Sequence, residues 1–117
     1  MRHVVERTEA AEPKPLTEPV LLILLSLADQ PRHGYALMRD IEELSKGRVR
    51  LSTGTLYGAL RRLLEDRWIE RFEQPDTSRD KQAYHLTAVG RKQLQWELDR
   101  MRQLTRVATT RLRMNEG

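Results

Sequence analysis

The sequence predicts a mainly α-helical fold that carries one small β-wing. Residues 16–64 contain three segments whose apolar side chains recur at helical spacing. Residues 68–86 contain two alternating segments separated by turn-forming residues, and residues 87–113 form one long helical segment. Three helices followed directly by a two-stranded ribbon are typical of a winged helix-turn-helix domain. In such domains the third helix enters the major groove of DNA.

Composition limits the class of protein. The chain has 117 residues, enough for one domain with one core. It contains no cysteine, which excludes disulfides and thiolate metal sites. The longest apolar segment, residues 19–25, is too short to span a bilayer, and the N-terminus lacks the pattern of a signal peptide. We therefore expect a soluble cytoplasmic protein without contact to membranes.

Positive charge is concentrated in two parts of the chain. The formal net charge is +4, but residues 44–64 carry five basic residues and no acid. The rest of residues 1–86 carries nine basic and fourteen acidic residues, whereas residues 87–117 carry seven basic and three acidic ones. The acid-free segment coincides with the predicted third helix and favours nucleic acid as a partner. On the last helix, basic residues that only solvate an exposed face are the simpler interpretation.

The predicted domain organisation has three parts. Residues 1–15 are polar and contain two prolines, and they are interpreted as a flexible arm. Residues 16–86 form the winged helix-turn-helix DNA-binding domain. Residues 87–117 form a C-terminal dimerisation helix.

The residues at the ends of the first two helices indicate where these helices begin and end. Thr17 is expected to cap the first helix, which is apolar on nearly every side and should end at Pro31. His33 is expected to begin the second helix and Gly47 to end it. The alternation in residues 48–51 then suggests the first strand of the wing sheet.

The third helix has a buried stripe and a face available to DNA. Ser52 is a suitable N-cap, and Leu56, Leu60 and Leu63 share the buried stripe. Residues at the start of a recognition helix approach base edges, while its free amides and short hydroxyl side chains can bind phosphates. Gly58 has two interpretations. Either glycine is merely tolerated inside the helix, or it allows another surface to approach the helix closely. The predicted DNA-contacting residues of the helix and the wing are Ser52, Thr53, Thr55, Tyr57, Arg61, Arg62, Arg79 and Lys81.

The wing follows from two alternating segments. Residues 68–73 and 81–86 are predicted strands, and residues 74–80 have turn composition throughout. Trp68 is expected in the core at the base of the wing. Arg79 and Lys81 near the tip suit phosphate contact.

The last helix is predicted to hold two subunits together. Thr87 is expected to cap it, and its apolar residues recur every seven positions. Folding back onto its own core would need a turn, and Gly90 is the one glycine in the helix. A homodimer is therefore predicted, with an interface formed by Leu94, Leu98, Met101, Thr105 and Leu112.

Sites for other chemistry are not apparent in the sequence. The three histidines, His3, His33 and His85, are scattered and lack carboxylates at the spacing of metal ligands. No nucleophile elbow, P-loop or dinucleotide fingerprint occurs. We expect no enzyme activity, no catalytic residue, no bound metal and no cofactor.

Several short motifs occur in a fixed order along the chain: HGY at 33–35, STGTLY at 52–57 with LRRL at 60–63, and YHLT at 84–87 with GR at 90–91. Together they resemble the PadR family of transcriptional regulators over residues 16–112. The resemblance implies a homodimeric winged-helix repressor of double-stranded DNA that binds an inverted-repeat operator. It also implies the short branch of the family, in which a single terminal helix is the dimerisation element. This sequence departs from the family at Arg67, where glycine is usual, and in lacking a glycine-rich wing tip.

Two alternatives remain open at this stage. A winged helix can serve as a protein–protein interaction subunit, although the acid-free third helix argues against that role. A ligand sensor is the other alternative, with a pocket for a small aromatic effector at the dimer interface formed by Trp96 and Met101. Packing at the interface is the simpler interpretation of Trp96.

Overall fold

The computed structural model describes residues 14–72 and 82–116. Within them the chain forms the mainly helical fold with a small antiparallel sheet that the sequence predicts. The helices are α1 (Glu18–Ser26), α2 (Gly34–Leu44), α3 (Thr53–Glu65) and α4 (Ala88–Glu116), and the strands are β1 (Arg32–His33), β2 (Ile69–Phe72) and β3 (Ala83–Leu86).

The sheet has the order β1-β3-β2, and all its pairings are antiparallel. Arg32 pairs with Tyr84 and Ile69 pairs with Leu86. The prediction that residues 48–51 form the first strand is wrong, since the strand before α2 takes that place. The Ser45 hydroxyl instead accepts a hydrogen bond from the Val49 amide at 2.9 Å and holds the segment as a loop.

Helix α1 contacts both α2 and α4, and its Ile23 and Leu24 side chains are fully buried. It ends at Ser26, before the predicted stop at Pro31. Beyond this end, the Ser26 backbone carbonyl accepts a hydrogen bond from Arg32 Nε at 2.8 Å. The buried Ser26 hydroxyl also donates to Asp40 at 2.6 Å and ties α1 to α2.

The capping residues predicted from the sequence are confirmed. The Thr17 hydroxyl accepts from the amide of Val20 at 3.4 Å. Ser52 and Thr87 cap α3 and α4 in the same way, at 3.1 and 3.0 Å. A Ser or Thr just before an apolar segment is a local signal, and all three helix starts follow it.

Two helices end in residues with left-handed backbone. After α3, Arg67 has φ 64°, its amide donates to Leu64, and the Trp68 amide donates to Leu63, which is a Schellman arrangement. After α2, Lys46 takes the left-handed position with φ 55°, and Gly47 follows with φ 81°. Helix α2 itself ends at Leu44, so the predicted Gly47 stop lies beyond the helix.

We expect Arg67→Gly to raise the free energy of unfolding by about 0.5–1 kcal/mol. Glycine adopts positive φ without the clash that a side chain brings, although it also gains entropy in the unfolded chain. Urea denaturation at equilibrium measures the change. Arg102→Gly, in the exposed interior of α4, is the control and should lose about 1 kcal/mol. An equal decrease in the free energy of unfolding of the two variants would contradict the prediction.

Candidate nucleic-acid interface

Helix α3 presents one buried and one exposed face. Leu56, Leu60 and Leu63 are buried in the core, at 0–2% exposure. The predicted DNA-contacting residues that the structure describes on α3 and its cap are all exposed, as a contacting surface requires: Ser52, Thr53, Thr55, Tyr57, Arg61 and Arg62. Their contacts with DNA remain a prediction.

Two glycines lie at the centre of the exposed face of α3. Gly54 and Gly58 are four residues apart, on the side opposite Leu56 and Leu60. A Cβ built on either glycine meets no atom within 4 Å. The helix backbone is therefore open to a close approach at both positions. Sequence reasoning considered Gly58 and missed Gly54, although the four-residue spacing was a signal.

The hydroxyl groups at the start of α3 have different roles. Ser52 Oγ accepts a hydrogen bond from the Thr55 amide and donates to Thr55 Oγ1 at 2.9 Å. Ser52 is thus engaged in holding the helix start. Thr55 Oγ1 is the acceptor of that bond, so its own proton remains available to an external acceptor.

Tyr57 lies where α3 meets the first turn of α2. Its side chain is 40% exposed, and a Cβ added to Gly34 would overlap its hydroxyl group. Glycine at position 34 therefore allows the two helices to approach. Burial raises the pKa of Tyr84 in β3, and the neighbouring Tyr57 raises it further. Tyr57 thus adjoins both α2 and the sheet.

The basic residues around α3 are unequally available to a ligand. Arg50 Nε forms an ion pair with Glu42 at 3.1 Å. Arg61 and Arg62 are exposed, and no ion pair within the described part of the chain engages them. Arg79 and Lys81, predicted on the wing, lie outside the described residues.

The first half of α4 packs on its own subunit. Leu94 is 5% exposed and belongs to the hydrophobic core, and Leu98 packs against that core. The assignment of Leu94 to the dimer interface is therefore wrong. No turn is needed for this packing, because Gly90 lets the start of α4 lie directly against the Trp68 backbone.

Glu97 anchors the segment before α1 to α4. It is buried, and hydrogen bonds from Arg100 and from the Leu16 backbone lower the pKa of its carboxyl group against the opposing effect of burial. Arg100 Nε donates to Glu97 Oε1 at 3.2 Å. The ionised pair of Glu97 and Arg100 thus holds the segment that precedes α1 beside α4.

The second half of α4 makes no contact that buries its side chains, since residues 99–115 are all exposed. Met101, Thr105 and Leu112 of the predicted interface lie here. Leu104, which sequence reasoning missed, is also exposed, at 52%. It follows Met101 by three residues and therefore shares its side of the helix.

The aromatic pocket that Trp96 and Met101 are predicted to line between subunits stays a prediction. The two residues are five positions apart on α4, so their side chains point about 140° away from each other. Both are partly exposed. A pocket that uses both would need surfaces from more than one chain.

A cavity of about 750 Å³ lies elsewhere, between the segment before α1 and the flank of α3. Leu16, Val20 and Trp68 supply apolar walls, and Arg61 and Arg62 line it from α3. Gln93 also lines it, and its Oε1 is buried without a hydrogen-bond partner among the described residues. A cavity of this volume is large enough for a small organic molecule.

Residues 14–72 and 82–116 contain no cluster of three or more His, Asp or Glu side chains that could hold a metal ion. None of the helices in these ranges is long and apolar enough to cross a membrane.

The three-helix unit, the antiparallel sheet and the exposed third helix define a winged helix-turn-helix protein. Residues 23–96 match the model of the transcriptional regulator PadR-like family. The chain belongs to this family of transcriptional regulators, which are not enzymes.

Solved structures support the same fold. A PadR family transcription regulator from Clostridium difficile is 22% identical with a TM-score of 0.68, over 82% of this chain and 99% of that chain. A transcriptional regulator from Clostridium thermocellum is 22% identical with a TM-score of 0.65, over 78% and 89%. Bacillus subtilis PadR, solved in complex with operator DNA, is 22% identical with a TM-score of 0.59, over 70% and 46%.

A curated relative is considerably longer than this chain. It is an uncharacterized 37.1 kDa protein in a transposon of Streptomyces fradiae, 39% identical over 85 residues. The match covers 73% of this chain but only 23% of the relative.

Proposed function

We propose that the protein is a sequence-specific DNA-binding repressor that acts as a homodimer on an inverted-repeat operator. The exposed face of α3 carries this proposal, because it combines hydroxyl groups, open glycine backbone and two arginines that no ion pair among the described residues engages. Such a surface fits the major groove, where side chains reach base edges and backbone amides reach phosphates. Membership in the PadR-like family supports the same function.

Selection from a random-sequence duplex library tests the DNA-binding part of the proposal. A two-fold symmetric dimer should select two inverted half-sites whose centres lie about one helical turn, or a multiple of it, apart. Selection of a single unrepeated site would contradict the dimeric arrangement. Failure to bind any duplex in a gel-shift assay would favour the protein-interaction subunit instead.

Repression is tested separately from binding. The selected operator is placed across a promoter, and transcription is measured in vitro with and without the protein. We expect less transcript when the operator overlaps the promoter, and no change when the operator is scrambled. More transcript would identify an activator.

We expect Thr55→Ala to reduce sequence preference and Arg61→Gln to reduce overall affinity. Thr55 has a free hydroxyl proton near the helix start, whereas Arg61, further along α3, forms no ion pair within residues 14–72 and 82–116. Base-edge contacts carry sequence information, and phosphate contacts carry none directly. Thr55→Ala should lower operator affinity about fivefold to a hundredfold and leave scrambled DNA nearly unchanged.

Competition binding with operator and scrambled duplexes measures both variants. Arg61→Gln should weaken the two complexes equally and make the log–log salt slope shallower by about 0.9 for each phosphate lost. Thermal unfolding of each variant verifies that the fold is intact. A reversed pattern would mean that the two residues have exchanged roles.

An effector that releases the repressor is a second element of the proposal. The cavity beside α3 favours it, since a molecule bound there would contact Arg61 and Arg62 on the DNA-facing helix. Gly58 is among the residues that line the cavity, so Gly58→Trp should occupy part of it and abolish binding of any effector found by thermal-shift screening. Retained effector binding in that variant would place the effector site elsewhere, for example beside Trp96 and Met101 between subunits.

A further inference from the structure

We infer that Tyr35 and Arg39 on α2 form a second phosphate-binding site, which grips the DNA backbone beside the recognition helix. This inference rests on the proposed binding of DNA by α3. It adds residues from a different helix to the interface.

The first observation is where this pair lies. Tyr57 on the exposed flank of α3 reaches the first turn of α2, where its hydroxyl adjoins Gly34. Tyr35 is the next residue, and it is 70% exposed. Consecutive helix residues point about 100° apart, so the Tyr35 side chain leaves α2 beside the side that Tyr57 contacts, in the same first turn where α2 meets α3.

The second observation is how Arg39 is held. Its guanidinium carbon lies 5.8 Å from the centroid of the Tyr35 ring, one helical turn away. Such a cation–π contact orients the guanidinium group without neutralising its charge. Tyr35 thereby presents its own hydroxyl and the Arg39 cation on one side of α2.

The third observation is that the nearby acids leave Arg39 free. Asp40 is engaged by the Ser26 hydroxyl and by Arg32, and Glu42 pairs with Arg50. Within the described ranges, none of the ion pairs includes Arg39. Glu43 lies beside the pair in the same shallow depression and is the remaining opposing charge.

The chemistry of this pair suits one phosphate group. In helix-turn-helix proteins the helix before the recognition helix crosses the DNA backbone. Arginine and tyrosine side chains are common phosphate ligands, and such contacts fix register without reading sequence. The ligand is therefore a backbone phosphate that flanks the bases contacted by α3.

Arg39→Gln in the full chain tests the inference, with the selected operator and a scrambled duplex of equal length as probes. We expect affinity for both duplexes to fall roughly threefold to twentyfold, with the ratio between them unchanged. The log–log salt slope of the dimer should become shallower by about 1.8, since each subunit loses one phosphate contact. Arg106→Gln, an equal charge change on exposed α4, is the control and should leave the slope unchanged.

Two further variants separate the groups involved. Tyr35→Phe keeps the ring beneath Arg39, so the slope should stay unchanged while affinity falls about twofold to fivefold from the lost hydroxyl. Glu43→Gln should strengthen binding to both duplexes. All three side chains are exposed, so the variants should unfold at the wild-type temperature.

The outcomes separate this inference from the proposed function. A wild-type protein that binds no duplex overturns both. If the DNA affinity of the wild-type protein falls steeply with salt and Arg39→Gln leaves that slope unchanged, only the site on α2 is overturned. A change in the operator-to-scrambled ratio would show that Arg39 reads bases, which also contradicts a phosphate site.

Discussion

Gly90→Ala should destabilise the protein by about 3 kcal/mol or more and detach the start of α4 from the wing. A Cβ at position 90 would overlap the backbone oxygen of Trp68 and come within 2.9 Å of the Leu86 side chain. The Trp68 oxygen cannot retreat easily, because it accepts hydrogen bonds from the amide and the hydroxyl of Thr87. Overpacking against fixed backbone typically costs 1–3 kcal/mol, and the disrupted hydrogen bonds add to that cost.

Gly58→Ala is the matched control for this variant. Position 58 also lies within a helix, but an added Cβ there meets no atom within 4 Å. The same substitution should therefore stabilise the free protein by about 1 kcal/mol. Urea denaturation of the two variants gives both values. A Gly90→Ala protein as stable as the wild type would mean that α4 docks in a different place.

The Gly58→Ala control also bears on DNA binding. If the open backbone at Gly58 serves a close approach to the groove, the variant gains stability and loses operator affinity. If glycine is merely tolerated there, stability rises and affinity is unchanged. The two interpretations of Gly58 left open by the sequence are thereby distinguished.

Features determined by neighbours in the sequence could be predicted well. The caps at Thr17, Ser52 and Thr87 each depend on a hydroxyl and an amide three residues later. The buried stripe of α3 follows from helical spacing alone. The exposure of the predicted face of α3 follows from the same spacing, since it lies opposite that stripe.

Features determined by distant contacts could not be predicted from the pattern alone. Residues 48–51 alternate like a strand, yet strand β3 pairs with Arg32 and His33 instead. Leu94 fits the seven-residue repeat of a dimer interface, yet its own core covers it. A seven-residue repeat shows that one face of a helix is apolar, but it does not show which chain covers that face. Tyr35 and Arg39 were missed because their relation to α3 depends on how Gly34 meets Tyr57.

The apolar face of α4 continues beyond the point where the subunit covers it. Leu94 is buried, but Met101, Leu104 and Leu112 on the same side of the helix are exposed. A 29-residue helix whose outer half is covered by nothing in the described chain has an unpartnered apolar stripe. We propose that the same stripe of a second copy covers it, as two-fold symmetry allows.

The double variant Leu104→Asp with Leu112→Asp should convert the dimer into a folded monomer. Leu104 and Leu112 are 52% and 66% exposed, so the subunit core does not depend on them. Burying four carboxylates between two helices would oppose association strongly. Sedimentation velocity at micromolar concentration should show the monomer mass, with helix content unchanged.

Loss of the dimer should also weaken binding to the two-half-site operator by about 10²–10⁴-fold. In a dimer, binding to one half-site holds the second subunit at high effective concentration near the other. Affinity for a duplex with a single half-site should change little. Gln103→Asp with Thr110→Asp adds the same charge to exposed positions on the opposite side of the helix, and it should remain dimeric. If both double variants dissociate, the added charge alone explains the effect. If the variant with Leu104→Asp and Leu112→Asp stays dimeric, the interface lies elsewhere on the chain.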